Sequence, residues 1–168
     1  MAFKVEVKGL NAIEKKIKDL KTNAQKEVKK SLKAAAALMK EDIVETIESG
    51  NSPVKGNRRF KGYSENYKDD INDGRYSRYG KKIRPVNLKL SGRMLKSIAA
   101  RLTNNGFVIY FTSKLAKIHS TEGPGGHAEY IRKVTPTGSE QWKASVMLRA
   151  EKYIAKTITT KILNNLRR

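Results

Sequence analysis

The chain has 168 residues, a length that suits one domain with a single modest core, since roughly two-thirds of the unfolded surface is buried at this size. Its 36 Lys and Arg residues stand against 16 Asp and Glu residues, and the resulting charge of +20 predicts attraction to nucleic acid or acidic protein surfaces. The absence of cysteine excludes disulfides, thiolate metal sites and a cysteine nucleophile.

The N-terminal segment MAFKVEVKGL is too polar and too regularly alternating for a signal peptide. No apolar run in the chain approaches the roughly 18 residues of a membrane span, so we expect synthesis in the cytosol and no membrane contact. Phe3, Val5 and Val7 alternate with charged residues, which predicts a short half-buried strand that ends at Gly9.

A long helix is predicted next, because apolar residues from Leu10 to Ile47 recur in steps of three and four. An alternative stays open at Thr22, since Asn23 could cap a second helix and place Glu27 in its first turn. Four acidic residues at helical spacing near the end of this helix are interpreted as a solvated face rather than as paired catalytic carboxylates: Glu41, Asp42, Glu45 and Glu48.

Pro53 follows the predicted end of this helix, and a tract without periodicity runs from about 55 to 89. Between Lys55 and Arg93 twelve basic residues stand against four acidic ones, with tyrosines interleaved. The tract either contacts a polyanion or is a flexible segment whose charge is spread like that elsewhere in the chain and whose tyrosines dock on neighbouring subunits. Its charges, that of Lys81 included, are expected to be solvated. If residues 57–84 form a lumen-facing or partner-facing extension, replacing them with a Gly-Ser bridge is expected to spare folding, because loop closure depends weakly on length. The residues assigned to DNA or partner contact are Arg58, Arg59, Lys61, Arg75, Arg78, Lys81, Lys82 and Arg84.

The second half of the chain predicts a short helix, a hairpin and a terminal helix. The helix continues through Met94, Leu95 and Ile98, and Asn-Asn-Gly at 104–106 predicts a tight turn between the arms of a hairpin spanning 102–112. After a loop at 120–139, apolar periodicity predicts a helix to the end. We therefore expect a single α+β domain in which an antiparallel sheet packs against a long N-terminal helix and a C-terminal helix, with a long basic loop at about 55–89.

Catalytic and metal-binding motifs are weak in this sequence. Four oxygen or nitrogen donors lie within eleven residues, but their spacing matches no helix-based zinc motif and two glycines separate them, so a solvated loop is the favoured interpretation. These donors are His119, Glu122, His127 and Glu129. No Gly-x-Ser-x-Gly elbow is present. We expect no catalytic residues, no metal and no cofactor.

Three segments carry a resemblance to a known family. Ser52-Pro53-Val54-Lys55-Gly56 and Leu90-Ser91-Gly92-Arg93-Met94-Leu95-Lys96-Ser97-Ile98 resemble the Pro-Val-x-Thr-Gly turn and the Leu-x-x-Ser-Ile helix of phage tail-completion proteins. Leu115-Ala116-Lys117-Ile118-His119, closed by Gly123, is similar to the Tyr-Ala-x-Ile-His segment of the related virion-morphogenesis proteins. The chain departs from the pattern by inserting the basic tract, and residues 132–136 only faintly echo the usual Arg-Pro-Phe ending.

The resemblance implies a non-enzymatic virion subunit that completes the tail or joins it to the head as part of a ring. Its partners would be copies of itself, neighbouring neck and tail proteins, and DNA in the channel. It implies that a short helix is seated by its apolar residues, that Ala116 and Ile118 pack beneath the sheet, and that His119 faces a neighbour or solvent. The motif residues are Pro53, Leu90, Gly92, Leu95, Ser97, Ile98, Ala116, Ile118, His119 and Gly123. The alternative is a free basic nucleic-acid-binding protein, for which the charge and the tyrosines argue.

Overall fold

The computed structural model describes residues 10–88 and 92–166. The predicted strand at Phe3 to Val7 and motif residue Leu90 lie outside these ranges. The fold is α+β, as predicted, and within the described ranges no helix is both long and apolar enough to cross a membrane. The helices and strands are α1 (Leu10–Glu48), α2 (Glu65–Asn72), α3 (Arg93–Lys96), β1 (Ile98–Leu102), β2 (Phe107–Phe111), α4 (Lys114–Thr121) and α5 (Ala144–Leu166). Single 3-10 turns lie at Ser77–Tyr79, Pro124–Gly126 and Ala128–Tyr130.

α1 is one uninterrupted helix of 39 residues, about 58 Å long. The alternative of a second helix capped by Asn23 is wrong, and the hydroxyl of Thr22 donates to the Lys18 carbonyl one turn earlier, at 2.9 Å. A hydroxyl bonded back to the preceding turn is compatible with a continuing helix. The second half of α1 supplies the centre of the core through Ala35, Ile43 and Ile47, which are fully buried.

α5 packs antiparallel to α1, and two ion-pair contacts fix this direction. Arg149, near the start of α5, donates to Asp42 at 2.6 Å, while Lys161 near its end bonds Glu27. Asp42 is buried, and Glu41 accepts a second bond from Arg149 at 3.2 Å. The prediction of a solvated acidic face is therefore wrong at Asp42, because this side of α1 meets a basic residue of α5.

The hairpin is longer than predicted. β1 and β2 pair antiparallel with Ile98 opposite Phe111, and the Asn-Asn-Gly segment connects them. The tight Asn-Gly turn with two positive φ angles that the sequence predicts does not form, because neither Asn105 nor Gly106 has a positive φ. The prediction that the motif helix runs through Ile98 is wrong, because α3 ends at Lys96 and Ile98 begins β1. The chain passes from helix to strand at Ser97. The Ser97 carbonyl accepts from Thr112 N at 3.0 Å, and its hydroxyl accepts from Ser113 N at 3.2 Å.

The basic tract is folded onto the domain. It contains α2 and the 3-10 turn at Ser77–Tyr79, although no periodicity in the sequence indicated either element. Tyr63, Val86 and Leu88 are buried members of the main core, and Phe60 and Tyr67 pack against it. The prediction that residues 57–84 form a dispensable loop is contradicted, because a bridge in their place removes aromatic side chains from the core.

Leu95, at the centre of the family motif, gives a test of this core. The side chain is 7% exposed and packs within the main cluster, so Leu95→Ala should lower the free energy of unfolding by about 2–5 kcal/mol. Leu115→Ala is the matched control, because Leu115 is 46% exposed on α4 and should cost less than about 1 kcal/mol. Urea unfolding curves measure the free energy of unfolding of both variants. Equal losses would show that Leu95 is not a core residue.

Candidate functional site

The first motif segment joins the end of α1 to the chain that leads into α5. Pro53 is fully buried, and its carbonyl accepts from Lys143 N at 2.8 Å. The Ser52 hydroxyl donates to the Lys133 carbonyl at 2.5 Å and accepts from Val54 N at 3.1 Å. Val54 forms a β-bridge with Trp142. This segment is therefore a structural tie between distant parts of the chain.

The other motif residues are also mainly structural. Leu95, Ile98 and Ala116 share the main core cluster. Gly92 adopts the left-handed conformation at the start of α3, with φ 72°. Gly123 has φ 75°, and a Cβ there would lie 2.0 Å from the His127 carbonyl oxygen, so only glycine fits.

Two expectations about α4 need correction. Ile118 is half-buried and does not belong to the buried core, unlike Ala116. His119 does not face open solvent but lines a cavity of about 590 Å³, and its Nδ1 atom is buried without a hydrogen-bond partner among the described residues. Only the expectation of open solvent is wrong, because residues from elsewhere in the chain line the cavity with His119; contact with a neighbour stays a prediction.

We call this space the cation–tyrosine cavity. It lies between the basic tract, α4 and the segment that follows the 3-10 turn at Pro124–Gly126. The side chains that define its chemistry are Tyr63, Tyr67, Lys81, His119, Tyr130 and Arg132.

Arg132 occupies the interior of the site and is only 3% exposed. Its guanidinium donates to three backbone carbonyls: Nε to Lys61 at 3.3 Å, Nη1 to Tyr130 at 3.1 Å and Nη2 to Gly62 at 3.0 Å. It also lies 5.1 Å from the centre of the Tyr63 ring. The carbonyl bonds hold the basic tract against residue 132, which explains why the tract is ordered there.

Lys81, like Arg132, lies over the Tyr63 ring. Its Nζ atom lies 4.6 Å from the centre of the Tyr63 ring and 5.7 Å from that of Tyr67. Tyr63 and Tyr67 meet edge to face with their centroids 5.1 Å apart, a favourable aromatic geometry. Cation–ring attraction therefore positions both Lys81 and Arg132 at the same tyrosine.

Burial in the cavity shifts the pKa values of Lys81, His119 and Tyr63. Burial, reinforced by the charge of Arg132, lowers the pKa of Lys81 to about 8. Burial, with smaller effects from Arg132 and Lys81, lowers the pKa of His119 to about 4, so the imidazole is neutral at pH 7. Burial also raises the pKa of Tyr63 to about 12. Each shift disfavours the charged form, as burial does for any ionisable group.

The predicted contact residues of the basic tract fall into two groups. Seven of the eight are exposed, whereas Lys81 is half-buried in the cavity, so the prediction that all these charges are solvated is wrong for Lys81. Arg75 pairs with Asp70 at 2.7 Å, and Arg78 covers the Tyr79 ring at 4.6 Å. The seven exposed residues are Arg58, Arg59, Lys61, Arg75, Arg78, Lys82 and Arg84.

Sequence reasoning missed Arg132 as a site residue. Its only signal was the faint echo of the family ending at 132–136, and local spacing gives no sign of partners about seventy residues away. His127 pairs with Glu129 at 3.4 Å on the exposed side of the cavity. In the part of the chain that the structure describes, no group of three or more His, Asp or Glu could hold a metal ion.

A second candidate surface is apolar. All side chains from 14 to 23 are exposed, including Ile17 at 61% and Leu20 at 50%. Lys161 pairs with Glu27, and α5 ends five residues later, so the start of α1 extends beyond the partner helix. We call residues 10–26 the arm.

An apolar groove lies between α1, the hairpin and α5, with a volume of about 800 Å³. Val108 on the hairpin contributes to it and is 45% exposed. Other apolar residues along the groove are Val28, Leu32, Phe107, Trp142 and Ile154. We call this the hairpin groove.

Comparison of the chain with family models, curated proteins and solved structures found no match.

Proposed function

We propose that the protein is a non-enzymatic structural subunit that assembles head-to-tail with copies of itself. One observation carries this proposal: the chain has an arm with two exposed apolar side chains and, elsewhere, an apolar groove open to solvent. A helix with one apolar face laid into an apolar groove is a common recognition mode between proteins. A contact between two different surfaces of identical subunits repeats, and it closes into a ring when the rotation allows.

The arm exposes apolar side chains that a partner would cover. Ile17 and Leu20 are three residues apart and so lie on the same face of α1. Most helix stability in proteins comes from packing an apolar face. Burial in the groove of a neighbouring copy would remove both side chains from water.

More specifically, we propose that this subunit completes the tail of a tailed bacteriophage or joins it to the head, within the virion. Three segments resemble the tail-completion and virion-morphogenesis proteins, and their motif residues serve the fold, as expected for an assembly protein. Pro53, Leu95, Ile98 and Ala116 are buried. Neighbouring neck and tail proteins are the remaining partners, and the exposed cations of the basic tract would face them or DNA in the channel.

Disulfide trapping tests the arm-to-groove contact, because the chain has no cysteine of its own. We expect the double variant Ile17→Cys with Val108→Cys to form intermolecular disulfides on mild oxidation, giving a ladder of multimers on a non-reducing gel. Asp19→Cys with Val108→Cys is the matched control, since Asp19 is also exposed but lies about 200° around the helix from Ile17. Equal cross-linking of the two pairs would contradict the contact.

The alternative function, a free nucleic-acid-binding protein, is favoured by the seven exposed cations of the basic tract. Titration of the isolated protein with short DNA at increasing salt separates the two functions. A dedicated binder is tight, and its affinity falls steeply with salt because many counterions are released. Such binding by a monomer that never assembles would favour this alternative over the ring.

A further inference from the structure

The cation–tyrosine cavity holds positive charge that the described residues do not neutralise. Arg132 is 3% exposed, yet its hydrogen bonds go to carbonyl oxygens and its ring contacts go to tyrosines. Among the described residues no carboxylate pairs with Arg132 or with Lys81. A buried cation without a counter-charge is costly, so the site is suited to an anion that enters from solvent.

The cavity also has hydrogen-bond donors to spare. A guanidinium has five N–H groups, and three of those of Arg132 are used within the described residues, which leaves two. The ammonium group of Lys81 lies over the tyrosine rings and can donate outward.

From this geometry we infer that the cavity binds a phosphate monoester between Lys81 and Arg132. Two cations call for two negative charges, and a phosphate monoester carries about −1.5 to −2 at pH 7, whereas a carboxylate carries one. Arginine pairs well with two oxygens of a phosphate at once. Tyr63 holds both cations through its ring, so the site is arranged before the ligand arrives.

The size of the cavity extends the inference to a phosphate carried by a small organic molecule. At about 590 Å³ the space lies in the range of roughly 300–1,000 Å³ typical of small-molecule sites. Tyr67 and Tyr130 line the remaining space and offer aromatic surface beside the phosphate position. Glu129 also lines the cavity, but its carboxylate pairs with His127 on the exposed side. This inference does not depend on the proposed ring.

Isothermal titration calorimetry with the full chain at pH 7 tests the site. The probes are inorganic phosphate, adenosine 5′-monophosphate, and two controls, adenosine and acetate. We expect one phosphate or one nucleotide per chain, with the nucleotide at least as tight, and at least tenfold weaker binding of both controls. Binding of acetate as tight as that of phosphate would contradict the charge match, and no binding of either phosphate probe would overturn the inference.

Matched variants separate a built site from the general attraction of a basic chain. Lys81→Gln should weaken phosphate binding at least tenfold, whereas Lys82→Gln should weaken it less than twofold, because Lys82 is exposed. Binding by the wild-type protein should also fall as the pH rises through about 8, where Lys81 loses its proton. Thermal melts check that both variants are folded. Equal weakening by the two variants would show that phosphate is attracted only by net charge, and would overturn the assignment.

Discussion

Replacing residues 57–84 with a short Gly-Ser bridge is expected to abolish the cooperative thermal unfolding transition. The bridge removes Tyr63 from the core, and truncating a buried aromatic residue costs about 3–5 kcal/mol. It also removes the Lys61 and Gly62 carbonyls that accept from Arg132, and stranding a buried charge costs about another 3–5 kcal/mol. Because domains are stable by only about 5–15 kcal/mol, the two losses together are comparable to the whole free energy of unfolding.

The control keeps the tract and removes its exposed charge. Changing all seven exposed cations to glutamine should shift the melting temperature by no more than a few degrees, since exposed charges and ion pairs contribute little. The same variant should lose salt-sensitive affinity for DNA, if the tract contributes any. Calorimetric melts measure both proteins. A bridged protein that melts like the wild type would show that the tract is a dispensable extension after all.

The second large effect is a loss of stability in mild acid that depends on His119. The pKa of His119 is about 4 in the folded protein and near 6.5 when unfolded, so the unfolded state binds more protons between these values. The stability that neutral His119 contributes is therefore fully present above pH 6.5, and it is lost as the pH drops toward 4. The shift corresponds to about 3 kcal/mol, reduced by whatever solvent reaches the ring.

His119→Gln isolates this contribution from the carboxylates, such as Glu27 and Glu140, that also titrate in acid. Glutamine keeps a polar side chain but cannot take up a proton. Urea unfolding at pH 4.5 and pH 7 should show a smaller pH difference for the variant than for the wild type, by about 2–3 kcal/mol. Identical pH dependence in both proteins would mean that the His119 ring is solvated and not buried in the cavity.

The elements with strong local periodicity could be predicted from the sequence. α1 and α5 repeat apolar residues every three or four positions over many turns. Asn-Asn-Gly marks the place of the hairpin turn but not its geometry, because no residue there adopts the positive φ that Asn-Gly favours. The extent of the motif helix could not be predicted in this way. Ile98 fits a helical pattern, but the backbone at Ser97 pairs with Thr112, and that long-range bond places Ile98 in a strand.

The basic tract and the cavity depend almost wholly on long-range contacts. Tyr63, Lys81, His119 and Arg132 come from widely separated positions, and no short spacing brings them together. Net charge indicated that Lys81 meets a polyanion or solvent, but only the fold shows that burial and Arg132 lower its pKa. The sequence therefore indicated the positive charge of the basic tract but not which residues meet in the cavity.

The proposed role as a ring-forming subunit is tested most directly by native mass spectrometry of the protein, alone and mixed with the neck and tail proteins that the proposal names as its partners. The proposal predicts one closed multimer of fixed copy number in at least one of these conditions. Ile17→Asp should reduce that multimer to monomers, because a charge on the apolar face of the arm cannot enter the hairpin groove without loss. Monomers of the wild-type protein under every condition would contradict the assignment to a ring.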